Sequence, residues 1–96
     1  MNQNKTEIYN KIVEFLKAKG ATKVAVFGSY VRNEETPESD IDVMIDFERP
    51  IGLFEFVRIE RELEELIGVK IDLVMDGGIN PLVEKYVMKD LMVLYQ

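Results

Sequence analysis

The 96-residue chain contains no cysteine and no histidine. Without cysteine there is no disulfide, no thiolate nucleophile and no thiolate-bound zinc. Without histidine, the commonest general base and the commonest transition-metal ligand are missing as well. Any metal chemistry must rest on hard oxygen ligands and hard cations. No apolar run approaches the ~18 residues that would span a bilayer. The opening Met1-Asn2-Gln3-Asn4-Lys5-Thr6-Glu7 lacks the apolar core of a secretory signal. A cytoplasmic protein without membrane attachment is therefore expected. Positive charge is scarce too: twelve Lys and Arg against eighteen Asp and Glu leave a net charge of −6. That balance argues against a broad grip on a nucleic-acid backbone, which needs a basic stripe. It suits a basic protein partner, and it also suits a small domain that simply stays soluble.

Apolar residues make up 47% of the chain, enough for one domain with a thin core across residues 1–96. Ile8, Ile12 and Leu16 recur every four residues, with Tyr9, Val13 and Phe15 beside them, and predict an amphipathic helix. Asn4 and Glu7 resemble a capping box at its start, and Gly20 marks its end. Lys23–Phe27 is a short, mostly apolar run of strand length that stops at Gly28-Ser29, where the serine is placed to cap a turn of helix. Residues 33–39 form a polar loop.

From Asp40 onward the pattern alternates. Ile41, Val43, Ile45 and Phe47 take one face of a strand, and Asp40, Asp42, Met44 and Asp46 take the other. Leu53, Phe56, Ile59, Leu63, Leu66 and Ile67 predict a second long helix, with Arg58, Glu60, Arg61, Glu62, Glu64 and Glu65 mostly outside and Gly68 closing it. Val69–Met75 predicts a third strand. Asn80-Pro81 starts a short helix running to about Lys89, and Leu91–Tyr95 is a final strand. The predicted fold class is an α/β (α+β) sandwich: a small mixed sheet with helices packed on one side.

The chemistry concentrates in the acids and the Gly-Ser turn. On a strand, residues i and i+2 leave the same face about 6.6 Å apart. Asp40 and Asp42 at that spacing can each reach a metal ion, and one carboxylate can bridge two ions. Asp72, between Ile71 and Leu73, also points away from the apolar side of its strand. If the two strands are neighbours, three carboxylates converge. A strand ending in Gly28 admits a phosphate close to the backbone, and the Ser29 hydroxyl adds a donor. Arg32 stands one helical turn later, able to pair with a phosphate, with one of the acids, or in a plain surface ion pair. Asp46 reads as a solvated charge.

In combination these residues are more specific than any is alone. Val26-Phe27-Gly28-Ser29-Tyr30-Val31-Arg32 followed by Thr36-Pro37-Glu38-Ser39-Asp40-Ile41-Asp42-Val43 resembles the signature block of the minimal nucleotidyltransferases of the DNA polymerase β superfamily. The resemblance extends over nearly the whole chain. Asn33 stands where that family often has Gly, and Val31 where it often has Ala. The resemblance implies a nucleotidyl transfer with two Mg²⁺ ions. Asp40 and Asp42 would hold both ions and Asp72 one of them, with Asp72 also the candidate proton acceptor. Gly28 and Ser29 would hold the β- and γ-phosphates of ATP, assisted by Arg32.

The acceptor is less clearly written. The chain has no room for an added acceptor domain, and minimal members of this family resemble antitoxins paired with small helical HEPN-domain toxins. The resemblance therefore implies transfer of AMP from ATP to a tyrosine of such a toxin. Two alternatives stay open. One is a module that masks its partner without catalysis, using the apolar end strand Leu91–Tyr95. The other is an antibiotic-type transferase, which would need an enclosed acceptor pocket.

Overall fold

The computed structural model of the protein describes residues 4–76 and 89–96. The first helix, α1 (Lys5–Ala18), is opened by Asn4, whose side chain accepts a 2.7 Å hydrogen bond from the Thr6 N–H. The cap is the expected residue, but its bond goes to Thr6 rather than to Glu7. Strand β1 (Ala21–Phe27) follows, then a single turn, α2 (Ser29–Arg32), and strand β2 (Ile41–Phe47). Helix α3 (Leu53–Ile67) leads to β3 (Ile71–Met75), and β4 (Met92–Tyr95) ends the fold. The helix expected from Asn80 falls outside the described residues. Among the described residues, no helix is long and apolar enough to cross a membrane.

The four strands form one mixed sheet in the order β3-β2-β1-β4. β1 runs antiparallel to both β2 and β4, whereas β2 and β3 are parallel. A parallel pair needs a crossover connection, and α3 supplies it. The alternation of β2 decides which face is covered. Ile41, Val43 and Ile45, with Val24, Val26, Ile71 and Leu73, meet Ile8, Ile12 and Leu16 of α1 and Ile59, Leu63 and Ile67 of α3. Leu63 is fully buried in this core. Leu63→Ala is expected to cost about 2–5 kcal/mol of stability in a denaturant melt.

Three expectations need correction. Met44 shares the outer face of β2 with the acids, yet it is only 1% exposed, because Ala25, Phe27, Val74 and Leu91 pack around it. Leu53 and Leu66 do not join the core stripe. Leu53 sits on the first turn of α3, ahead of the residues that meet the sheet, and Leu66 rims a cleft against Asn10, Glu14 and Phe15 of α1. Asp46 is half-buried, and its carboxylate accepts a 2.9 Å bond from the Phe47 N–H beside a register shift between β1 and β2.

Candidate active site

Strand register builds the site. Phe27, the last residue of β1, lies opposite Asp42, and Asp42 lies opposite Asp72 on the parallel strand β3. Gly28, Asp42 and Asp72 are therefore set side by side at one end of the sheet. Ile41, Ile71 and Leu73 point into the helical core, so the alternation turns Asp42 and Asp72 to the opposite face. Asp40 precedes β2 by one residue. The loop ahead of it is closed by Thr36, whose N–H donates to Ser39 Oγ at 2.8 Å and whose carbonyl accepts from the Ser39 N–H at 3.0 Å.

Bringing these acids together has an electrostatic cost. Burial pushes the Asp42 carboxyl up to about 6, reinforced by the charges of Asp72 and Asp40 and by a hydrogen bond with Asp72, while Arg32 pulls slightly the other way. Both main causes disfavour the ionised form. Among the described residues, no three acids close into a finished metal cage; Asp42 and Asp72 are drawn together, and Asp40 acts on Asp42 through charge. The donor set consists of carboxylate oxygens, the ligand type that Mg²⁺ takes. A cation at this spot would relieve both the repulsion and the desolvation, so the residues fit such an ion.

Gly28 is tied to the acids directly. It has φ 82°, a left-handed conformation that disfavours side chains. A Cβ built there would overlap Asp42 Oδ2 and lie 3.1 Å from its Cγ. The glycine thus leaves room for the carboxylate as well as permitting the turn. It also takes the cap position of α2, which corrects the expectation for Ser29: the serine is already the first helical residue. Arg32 forms exposed ion pairs with Glu34 and, at 2.6 Å, with Asp90. Asn33 ends the turn at φ 59°, a conformation asparagine adopts more readily than most residues. This accounts for an Asn where a Gly is frequent.

Independent comparisons decide the family. A profile described as "Nucleotidyltransferase domain" matches residues 9–94. The chain belongs to the nucleotidyltransferase-domain family. A protein of Methanocaldococcus jannaschii, provisionally named protein adenylyltransferase MJ0126, is 44% identical over 87 residues, covering 88% of this chain and 89% of that protein. Protein adenylyltransferase MntA of Thermococcus cleftensis is 39% identical over 71 residues, 74% of this chain and 72% of that protein. Among solved structures, a toxin–antitoxin complex with AMP-PNP superposes with a TM-score of 0.81 at 20% identity, covering 91% of this chain and 72% of that one. A Shewanella oneidensis complex of a tri-AMPylated HEPN toxin with its MNT antitoxin gives 0.78 at 18% identity, covering 96% and 72%. The two structural matches establish the fold, a mixed sheet with helices, and the sequence relatives make the chain a minimal nucleotidyltransferase.

Residues outside the predicted set support this candidate site. β3 is a sheet edge, and Ile71 and Leu73 flank Asp72 on it. Their N–H groups donate to Glu64 Oε2 at 3.0 Å and Glu60 Oε2 at 2.9 Å. Two glutamates on one face of α3 therefore satisfy the strand that carries Asp72. Lys5 does the same for the Gly-Ser turn. Its Nζ donates to the Tyr30 carbonyl and to Asn33 Oδ1, both at 2.7 Å, and pairs with Glu35 at 2.9 Å. The i, i+4 spacing of Glu60 and Glu64 is visible in the sequence, but its target depends on which strand lies at the edge.

Proposed function

We infer that this nucleotidyltransferase is a Mg²⁺-dependent protein adenylyltransferase, which moves AMP from ATP to a tyrosine hydroxyl of a HEPN-domain toxin and so acts as its antitoxin. The observation that carries this reading is the opposition of Asp42 and Asp72 on neighbouring strands, with Gly28 packed against Asp42. The names of the relatives supply the acceptor class, since they are protein adenylyltransferases. The structural neighbours add a HEPN toxin partner carrying AMP and an ATP analogue bound to a toxin–antitoxin pair.

In the reaction the tyrosine oxygen attacks the α-phosphorus of ATP. A phosphorus–oxygen bond forms to the tyrosine, the bond to the β-phosphate breaks, and pyrophosphate leaves. Asp72, the more exposed of the two opposed acids, takes the hydroxyl proton. Asp40, Asp42 and Asp72 would hold Mg²⁺, which when bound neutralises polyphosphate charge and makes the attacking hydroxyl more acidic. Gly28 and Ser29 receive the β- and γ-phosphates along the half-buried turn. Arg32 reaches a phosphate by leaving Glu34 and Asp90, a cheap exchange because exposed ion pairs are worth about 0–1 kcal/mol.

Masking without catalysis is a second reading, supported by β4, an edge strand with Met92 and Val93 exposed. The two readings separate in cells that express the toxin. Catalysis predicts protection by the wild-type chain, an AMP mass increment on the recovered toxin, and loss of both with Asp42→Asn. Full protection by Asp42→Asn, with unmodified toxin, would replace catalysis by masking.

A further inference from the structure

The outer face of α3 takes no part in the fold or in the nucleotidyl site. Phe54 is 88% exposed and Leu53 74%, on the first turn of the helix. Glu55 pairs with Arg49 and Glu62 with Lys19. Among the described residues, Arg58, Arg61 and Glu65 have no ion-pair partner. At 3.6 residues per turn, Phe54, Arg58, Arg61 and Glu65 fall on one stripe, turned away from Ile59, Leu63 and Ile67. At the other end of α3, nothing lies within 4 Å of a Cβ built on Gly68. There Gly68, Val69 and Lys70, with Arg61, Glu64 and Glu65, line a shallow recess of about 520 Å³.

We propose that this face binds a second copy of the chain, with the two α3 helices antiparallel across a two-fold axis between Arg61 and Glu62. An isologous contact must be self-complementary, and Arg58 with Glu65 makes it so, although Arg61 falls beside its own symmetry mate at the axis. Arg58 of one copy stands opposite Glu65 of the other, and the symmetry repeats the pair. Phe54 and the recess beside Val69 lie at equal distances on either side of the axis, about 11 Å at 1.5 Å per residue. Each exposed phenylalanine therefore reaches the recess of the other copy, and a projecting aromatic beside an arginine is the composition that anchors interfaces. Asp42 and Asp72 lie on the sheet face opposite α3, so both active sites stay open. One helix pair with two anchors falls below about 1,200 Å² of total buried surface. The dimer should therefore form in the micromolar range rather than the nanomolar.

Sedimentation equilibrium of the full chain across micromolar concentrations tests this. The wild-type chain should fit a monomer–dimer equilibrium. Arg58→Glu and Glu65→Arg should each raise the dissociation constant at least ~10-fold, about 1.4 kcal/mol. The double variant R58E/E65R should return it to within ~3-fold of wild type, because both pairs are restored with their signs exchanged. Phe54→Ala should weaken the dimer without changing the fold seen by circular dichroism. A wild-type chain that stays monomeric throughout, or a double variant as weak as the singles, overturns the proposal. So does a monomeric chain in which Arg58→Glu and Phe54→Ala abolish toxin binding, since the face would then belong to the toxin.

Discussion

Asp42→Asn is expected to lower AMP transfer by about 10²- to 10⁴-fold and, in the same molecule, to raise the thermal midpoint in buffer free of divalent ions. The loss follows from removing a carboxylate that faces Asp72 and would hold the metal. The gain follows from what that carboxylate endures: its pKa is raised to about 6, first by burial and then by Asp72 and Asp40. In the unfolded chain the same group has a pKa of about 3.9. Between those values the folded state binds the extra proton, so stability falls as pH rises from about 4 through about 6 and stays lower above. Because Asp42 is only half-buried, solvent screening reduces the penalty to about 1–2 kcal/mol. Melts of wild type should shift downward by several degrees over that pH interval, and those of Asp42→Asn should lack this step. Added Mg²⁺ should recover the midpoint of wild type at neutral pH but not that of the variant. A variant that melts below wild type at pH 7 without Mg²⁺ would contradict this electrostatic reading of the site.

Gly28→Ala should be the second severe change. The methyl group meets a φ of 82° and the space held by Asp42 Oδ2, so the carboxylate has to move or the turn has to open. Either movement takes Asp42 out of line with Asp72, and activity should fall at least ~10²-fold, as for other misplacements near 1 Å. Gly68→Ala controls for the positive φ alone, because Gly68 has ψ 14° where Gly28 has ψ −155°. Gly68 has nearly the same φ, 81°, but nothing stands within 4 Å of its added Cβ. Gly68→Ala should lose about 1–2 kcal/mol of stability from the left-handed backbone and Gly28→Ala up to about 3 kcal/mol, since its ψ of −155° is nearly glycine-only, while only Gly28→Ala loses transfer. Equal activity losses in the two would contradict a role for the contact between Gly28 and the Asp42 carboxylate.

The architecture was legible wherever a periodic pattern coincided with burial. Ile8, Ile12 and Leu16, and the alternation from Ile41 to Phe47, each predicted an element and its inward face correctly. The opposition of Asp42 and Asp72 was legible because both point away from the apolar face of their strands, in a chain with neither cysteine nor histidine. Contacts that depend on topology were not. Glu60 and Glu64 read as solvated helix charges until β3 proved to be the edge strand whose N–H groups they accept. Lys5 read as a polar residue at the chain start, though its side chain holds Tyr30 and Asn33 more than twenty residues away. Met44 read as belonging to a polar face because strand alternation assigns a side, not what covers it. Ser29 was expected to cap because serine commonly does, but Gly28 turns one residue earlier and takes that position.

Label transfer tests the central claim most directly. The toxin is incubated with the chain, Mg²⁺ and ATP radiolabelled either in the α- or in the γ-phosphate. The predicted result is label on the toxin from α-labelled ATP alone, release of γ-label as pyrophosphate, and neither event with Asp42→Asn. Label on the toxin from the γ-position, or no label from either, would contradict adenylyl transfer by these three carboxylates.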